Sequence, residues 1–186
     1  MNPSTEDLLS AAEKVNSPAV IIFPNNSNII MAAQQLDSLT EKKIAVVPTL
    51  SVMQAITALV AYDPEGDIDS ILSEMTEEIK QVKFAEITYA VRDSAMNGLD
   101  IKEGDKIGIL AGEITATGDE ENEIAQKLLE QMVDEDSELI TLFYGNGLRE
   151  EEAMALKEII EESFPEHEVE MHWGGQPHYS YFISVE

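Results

Sequence analysis

Pro18-Ala19-Val20-Ile21-Ile22-Phe23, followed at once by Pro24-Asn25-Asn26-Ser27-Asn28, is the stretch on which the reading of this chain turns. A short continuous apolar run closed by a polar turn is the form of a strand buried on both faces. Ile29, Ile30, Ala33 and Leu36 then fall on one helical face. The motif returns in Lys43-Ile44-Ala45-Val46-Val47, closed by Pro48-Thr49-Leu50-Ser51 and a second helix running to Ala61. Strand, polar turn and helix, twice over, predict a parallel sheet with crossover helices.

Working outward, Ser4-Thr5-Glu6-Asp7 precedes Leu8, Leu9, Ala12 and Val15, an amphipathic helix with its capping residue. After the turn Tyr62-Asp63-Pro64-Glu65-Gly66, Ile68, Ile71, Leu72, Met75, Ile79 and Val82 repeat with helical period. The pattern then changes. Strands are predicted over 85–91 and 107–114, linked through the turn residues Gly98, Gly104 and Asp105. A helix (Ile124 to Met132), a strand (139–144), a helix (Ala153 to Ile160) and strands over 169–173 and 179–185 complete the chain. The expected division is an α/β lobe with parallel strands over 1–82 and a mixed-sheet α/β lobe over 83–186.

Across its 186 residues the chain carries 37 Asp and Glu against 11 Lys and Arg, a net charge of −26. Such a surface repels a phosphate backbone and an anionic membrane, which excludes nucleic-acid binding. With 44% hydrophobic residues it still has material for a core. The acidity concentrates in residues 81–186, net −18 against −8 for residues 1–80. Glu120-Glu121, Asp134-Glu135-Asp136 and Glu150-Glu151-Glu152 are either solvated helix starts and loops or a docking face for a basic partner. The absence of cysteine excludes thiol chemistry and fits a cytoplasmic setting. The opening residues show no signal peptide, and Ile44 to Ala61 is broken by Pro48, Thr49, Ser51, Gln54 and Thr57, too polar to insert in a membrane.

Two places could carry chemistry. Asn25, Asn26, Ser27 and Asn28 sit where a strand hands over to a helix, so N–H groups and side-chain donors there suit a carboxylate or phosphate, or the side chains simply cap the helix. Thr49 and Ser51 follow the next strand and point to the same edge. The second place is His172-Trp173-Gly174-Gly175-Gln176-Pro177-His178, which joins two strands. Its glycines permit close backbone approach, and its Trp, His and Gln are types enriched at binding surfaces, although a tight connection alone accounts for the glycines. Arg92 and Arg149 are scarce cations that bind a carboxylate or neutralise neighbours. No zinc motif, GxxxxGK[ST], GxGxxG or GxSxG is present, and Gly145-Asn146-Gly147 alone is a weak phosphate-loop signal.

Taken in order, Met1-Asn2-Pro3-Ser4-Thr5, Phe23-Pro24-Asn25-Asn26-Ser27-Asn28-Ile29, Val46-Val47-Pro48-Thr49, Ala61-Tyr62-Asp63-Pro64, Thr88-Tyr89-Ala90-Val91-Arg92-Asp93, the run from Gly104 to Gly108, and Gly174-Gly175-Gln176-Pro177 with the terminal Tyr181-Phe182-Ile183-Ser184-Val185-Glu186 span nearly the whole chain. The set resembles the C-terminal domain of the A component of fatty acid kinase, the dihydroxyacetone-kinase-like proteins of bacteria. The resemblance implies a DegV-like two-lobed α/β fold. It further implies a domain that is non-catalytic alone and docks a DegV-type fatty-acid-binding subunit, while Mg-ATP binds a separate N-terminal domain of the same polypeptide. On that reading Arg92, His172, Trp173, Gly174, Gly175, Gln176 and His178 are partner-binding candidates, and Asn25 to Asn28, Thr49 and Ser51 match the polar turns with which DegV-type carriers hold a carboxylate. A DegV-like protein that itself binds a fatty acid or small anion between its lobes, and a homodimer, remain open alternatives.

Overall fold

Ser4 and Asp7 open the first helix by exchanging hydrogen bonds, Asp7 N–H to Ser4 Oγ at 3.1 Å and Ser4 N–H to Asp7 Oδ2 at 2.9 Å. These bonds from Ser4 hold the Asp7 carboxyl below its usual range. The computed structural model describes residues 2–96 and 98–186, so Met1 of the N-terminal stretch lies outside it. The chain divides into two compact units, Met1–Val82 and Lys83–Glu186.

In the first unit, α1 (Thr5–Lys14) leads to β1 (Ala19–Ile22), α2 (Ser27–Gln34) with a 3-10 turn over Gln35–Ser38, β2 (Lys43–Val46), α3 (Val52–Val60) and α4 (Ile68–Glu78). The two strands pair in parallel, with Ala19 opposite Lys43 and Ile22 opposite Val46. The ammonium of Lys42 donates to the carbonyls of Ala12 (2.9 Å), Glu13 (3.1 Å) and Val15, closing the C-terminal end of α1 with a cation. The core is small: Val47, Ala58, Ile71, Met75 and Ile79. One expectation is overturned. All four residues of β1 are only half-buried, not covered on both faces, because the sheet is two strands wide.

The second unit is built on a six-stranded sheet of order β7-β6-β3-β10-β8-β9, comprising β3 (Lys83–Tyr89), β6 (Lys106–Leu110), β7 (Glu113–Gly118), β8 (Leu139–Tyr144), β9 (Glu168–Trp173) and β10 (Tyr179–Val185). All neighbours are antiparallel except β8 and β9, which α6 (Glu150–Ser163) connects as a parallel pair. Alternate strand residues (Ala85, Ile87, Ile140, Leu142, Ile183) pack against Ile124, Leu128 and Leu129 of α5 (Glu121–Met132) and Ala153, Leu156 and Ile160 of α6. Gly108 lets α5 close on the sheet: a Cβ there would stand 2.8 Å from Ile124 Cγ2. Lys83 donates to the carbonyl of Met132 at 2.8 Å and pairs with Asp134, capping α5 from the strand. The predicted single strand over 107–114 is two strands. Ala111 and Gly112, with φ of 50° and 90°, fold it into a hairpin whose turn needs two left-handed residues. The predicted link before it holds a further short hairpin, β4 (Ser94–Met96) with β5 (Leu99–Ile101).

Candidate functional site

In the first unit the polar turns after β1 and β2 meet. The Asn25 N–H donates to Thr49 Oγ1 at 3.1 Å, and the Thr49 hydroxyl donates to Asn25 Oδ1 at 2.8 Å. Asn25 is left-handed, φ 54°, a conformation its short polar side chain tolerates. Thr49 is wholly buried. Asn26 caps α2 by accepting from the Asn28 N–H at 2.9 Å, and the buried Ser51 caps α3 by accepting from the Gln54 N–H at 3.2 Å. Ser27 and Asn28 are exposed in the first turn of α2, which holds no acidic residue. The arrangement joins the two turns, and it spends Asn25, Asn26, Thr49 and Ser51 on internal hydrogen bonds.

In the second unit the turn between β9 and β10 is fastened to the end of β8. Gln176 Nε2 donates to the Phe143 carbonyl at 2.7 Å, the Gln176 carbonyl accepts from the Asn146 N–H at 3.1 Å, and the Tyr144 carbonyl accepts from Gly174 (3.0 Å) and Gly175 (3.3 Å). Gln176 Oε1 is buried without a hydrogen-bond partner. A Cβ on Gly174 would lie 2.1 Å from Gln176 Oε1, and one on Gly175, at φ 65°, would lie 2.8 Å from the Trp173 ring. Gly145 passes equally close: its Cβ would stand 2.1 Å from the Tyr179 carbonyl. Upon this rigid turn the Trp173 side chain is 67% exposed. His172 pairs with Glu170, Nε2 to Oε2 at 2.9 Å, and its ring lies 5.2 Å from that of Phe143.

His178, also left-handed at φ 70°, accepts from the Thr88 hydroxyl through its carbonyl at 2.6 Å, and its Nδ1 lies 3.4 Å from the Tyr89 hydroxyl. It borders a recess of about 200 Å³ shared with Tyr89, Lys106, Glu121, Tyr179 and Ser180. Lys106 and Glu121 were not singled out by sequence reasoning, since a lysine in a strand and a glutamate at a helix start carry no local signal of meeting. They pair at 2.5 Å, and the Ser180 hydroxyl also donates to Glu121 at 3.3 Å, so the recess is polar but charge-balanced. Burial, then the nearby Glu86, pushes the Tyr179 hydroxyl up. Arg92 stands exposed in the bend between β3 and β4.

Among the described residues no group of three or more His, Cys, Asp and Glu side chains is placed to hold a metal. The Gly145-Asn146-Gly147 turn does not fit a nucleotide phosphate either, because the Gly145 N–H is taken by the Ser180 carbonyl and the Leu148 N–H by the Gly145 carbonyl. No helix among the described residues is long and apolar enough to cross a membrane.

A two-stranded parallel sheet in one unit and a six-stranded mixed sheet in the other define a DegV-like α/β protein. The same fold occurs in the DegV family protein Cg2579 of Corynebacterium glutamicum (TM-score 0.69, 16% identity, 99% of this chain and 83% of that one). It occurs also in the fatty acid kinase B3 protein of Streptococcus pneumoniae loaded with linoleic acid (TM-score 0.63, 16% identity, 99% and 76%). At such identities the likeness concerns the fold. Along the sequence the family resemblance is direct: residues 1–186 match the FakA-like C-terminal family of fatty acid kinase, and the chain belongs to that family. Protein YloV of Bacillus subtilis is 44% identical over all 186 residues. The chain spans about a third (34%) of the length of that relative.

Proposed function

We propose that this chain is a non-catalytic docking and positioning domain of a fatty acid kinase. A DegV-type fatty-acid-binding protein is received on its second unit, and the acyl carboxylate is phosphorylated at an Mg-ATP site carried elsewhere in the longer polypeptide. The observation that carries the reading is Trp173, two-thirds exposed on a turn that Gln176, Gly174 and Gly175 hold in one conformation. A large aromatic on a preorganised support is the type of residue that dominates binding energy, because little freedom is lost when it is covered. His172, His178 and Arg92 extend the surface, and the acidic excess of the second unit favours a basic face on the partner. The domain's contribution is concentration: holding a loaded carrier near an ATP site on the same polypeptide converts an encounter into a local event.

Titration with a fatty-acid-loaded DegV-type carrier tests this. Trp173→Ala is expected to weaken binding by about thirtyfold, the scale of a hot-spot residue. Unchanged affinity removes this surface from the reading. Trp173 is the cleaner substitution, since Gln176→Ala also releases the Phe143 carbonyl. The alternative, direct binding of a fatty acid by this chain, predicts stoichiometric lipid in an organic extract of the purified protein. The internal hydrogen bonds of Asn25, Thr49 and Ser51 speak against it, because a carboxylate would have to displace them.

A further inference from the structure

The first unit carries an unfinished sheet edge. The Pro18 and Ile22 carbonyls accept from Lys43 (2.9 Å) and Val47 (3.1 Å), so every second residue of β1 turns its backbone toward β2 and the alternate ones, Ala19 and Ile21, turn theirs away. β1 has no other strand neighbour among the described residues. Ser17 Oγ answers the Ala19 N–H at 3.3 Å, leaving Ile21 as the open rung.

An apolar recess lies on each face of that edge. One, of about 560 Å³, lies toward α3 and α4, where Leu59, Tyr62, Ile71 and Met75 line it. The other, of about 250 Å³, lies toward α1, with Leu8 and Ala12. Val20, Ile21 and Phe23 border both, and neither recess has a charged residue in its lining. Successive side chains of a strand point to opposite faces, so one added strand would fill the two recesses alternately while pairing with Ile21. The apolar surface continues outward over Leu59 (55% exposed) and Val60 (84%). Exposed apolar surface next to an unpaired edge marks a site of association.

We infer that the free edge of β1 is a strand-acceptor site for an extended, uncharged apolar segment with basic flanks, supplied by the part of the family's longer polypeptide that lies outside these 186 residues. The backbone rung and the paired recesses specify an extended apolar strand. The acidic rim of Asp63, Glu65, Asp67 and Asp69, interleaved with the lining residues Pro64, Gly66 and Ile68, specifies basic flanks and disfavours a second copy of a chain of net charge −26. The source follows from length: about two-thirds of the matched relative lies outside the aligned region, and a tethered segment meets the edge at high effective concentration. The inference does not rest on the carrier-docking reading.

Hydrogen exchange at the Ile21 amide tests it, in the 186-residue chain and in a longer family polypeptide carrying it. The amide is expected to exchange at the open-chain rate in the short form and at least about a hundredfold more slowly in the long one. Leu59→Glu, at a position already half exposed, should restore fast exchange in the long form while leaving the circular dichroism of the short form unchanged. Equal rates in both forms overturn the inference, whether or not an added DegV-type carrier then slows exchange. Slow exchange in the short form that quickens on dilution also overturns it, by assigning the edge to a second copy.

Discussion

The two units answer the same problem of burial in opposite ways. Lys83–Glu186 closes two helices over one face of a six-stranded sheet and buries a continuous core around Ile124, Leu128, Leu142 and Leu156, all without exposed surface. Met1–Val82 has two strands, a core centred on Val47, Ala58 and Met75, and large apolar side chains left in the open, among them Met31 (72%), Leu59 and Val60. A sheet two strands wide is marginal by itself. The second unit is therefore the self-sufficient scaffold that presents a turn, and the first is the unit whose stability depends on what covers it.

The largest effect that would sharpen this contrast is a truncation in each unit. Leu128→Ala removes a fully buried side chain between α5 and the sheet and should cost about 2–5 kcal/mol. Val60→Ala, in the open, should stay within about 0.5 kcal/mol. Chemical denaturation measures both. The single tryptophan, Trp173, reports the second unit by fluorescence, and a cost at Val60 comparable to that at Leu128 would break the comparison by showing the patch already covered.

Much of this architecture was legible in the chain. The runs at 19–22 and 43–46, each followed by a polar turn and a helical period, mark the parallel pair, and Ser4 with Asp7 marks the first helix start. Half-burial of β1 was not legible, because an apolar run reports what a strand can bury and not how many neighbours it has. The hairpin at Ala111-Gly112 was hidden by apolar residues on both sides of the turn, and β4 and β5 are too short to show alternation. For the sites, residue types flagged the polar turns and the Gly-Gly-Gln-Pro connection. The partner each group takes was out of reach: Thr49 finds Asn25 and Gln176 finds Phe143 only once the strands pair.

A smaller effect isolates the first unit. Thr49→Val keeps the shape of the buried side chain but leaves the Asn25 N–H and Oδ1 without their partner, which should cost about 1–3 kcal/mol. Exchange of amides in β1 and β2 should quicken while the Trp173 transition stays in place. If that transition moves by the same amount, the units unfold together, and their independence as folding units is lost.

The smallest effect concerns a charge within the second unit. Glu86 of β3 stands opposite Phe182 of β10 and Ile109 of β6, and burial pushes its carboxyl above the usual range. A raised carboxyl pKa means that the folded chain disfavours the anion. The penalty is absent below the unfolded pKa of about 4.3, grows as pH rises through the window between that value and the raised one, and is full above it. Glu86→Gln removes the penalty, so the variant should exceed the parent at pH 7 by roughly half a kcal/mol at most, since partial exposure screens the charge. The advantage should shrink as the pH falls through that window and vanish below it, and melting curves across pH 3–8 measure it. A pH-independent gain would mean that the glutamine acts through packing or hydrogen bonding, and that the self-sufficient unit carries no electrostatic cost at this strand.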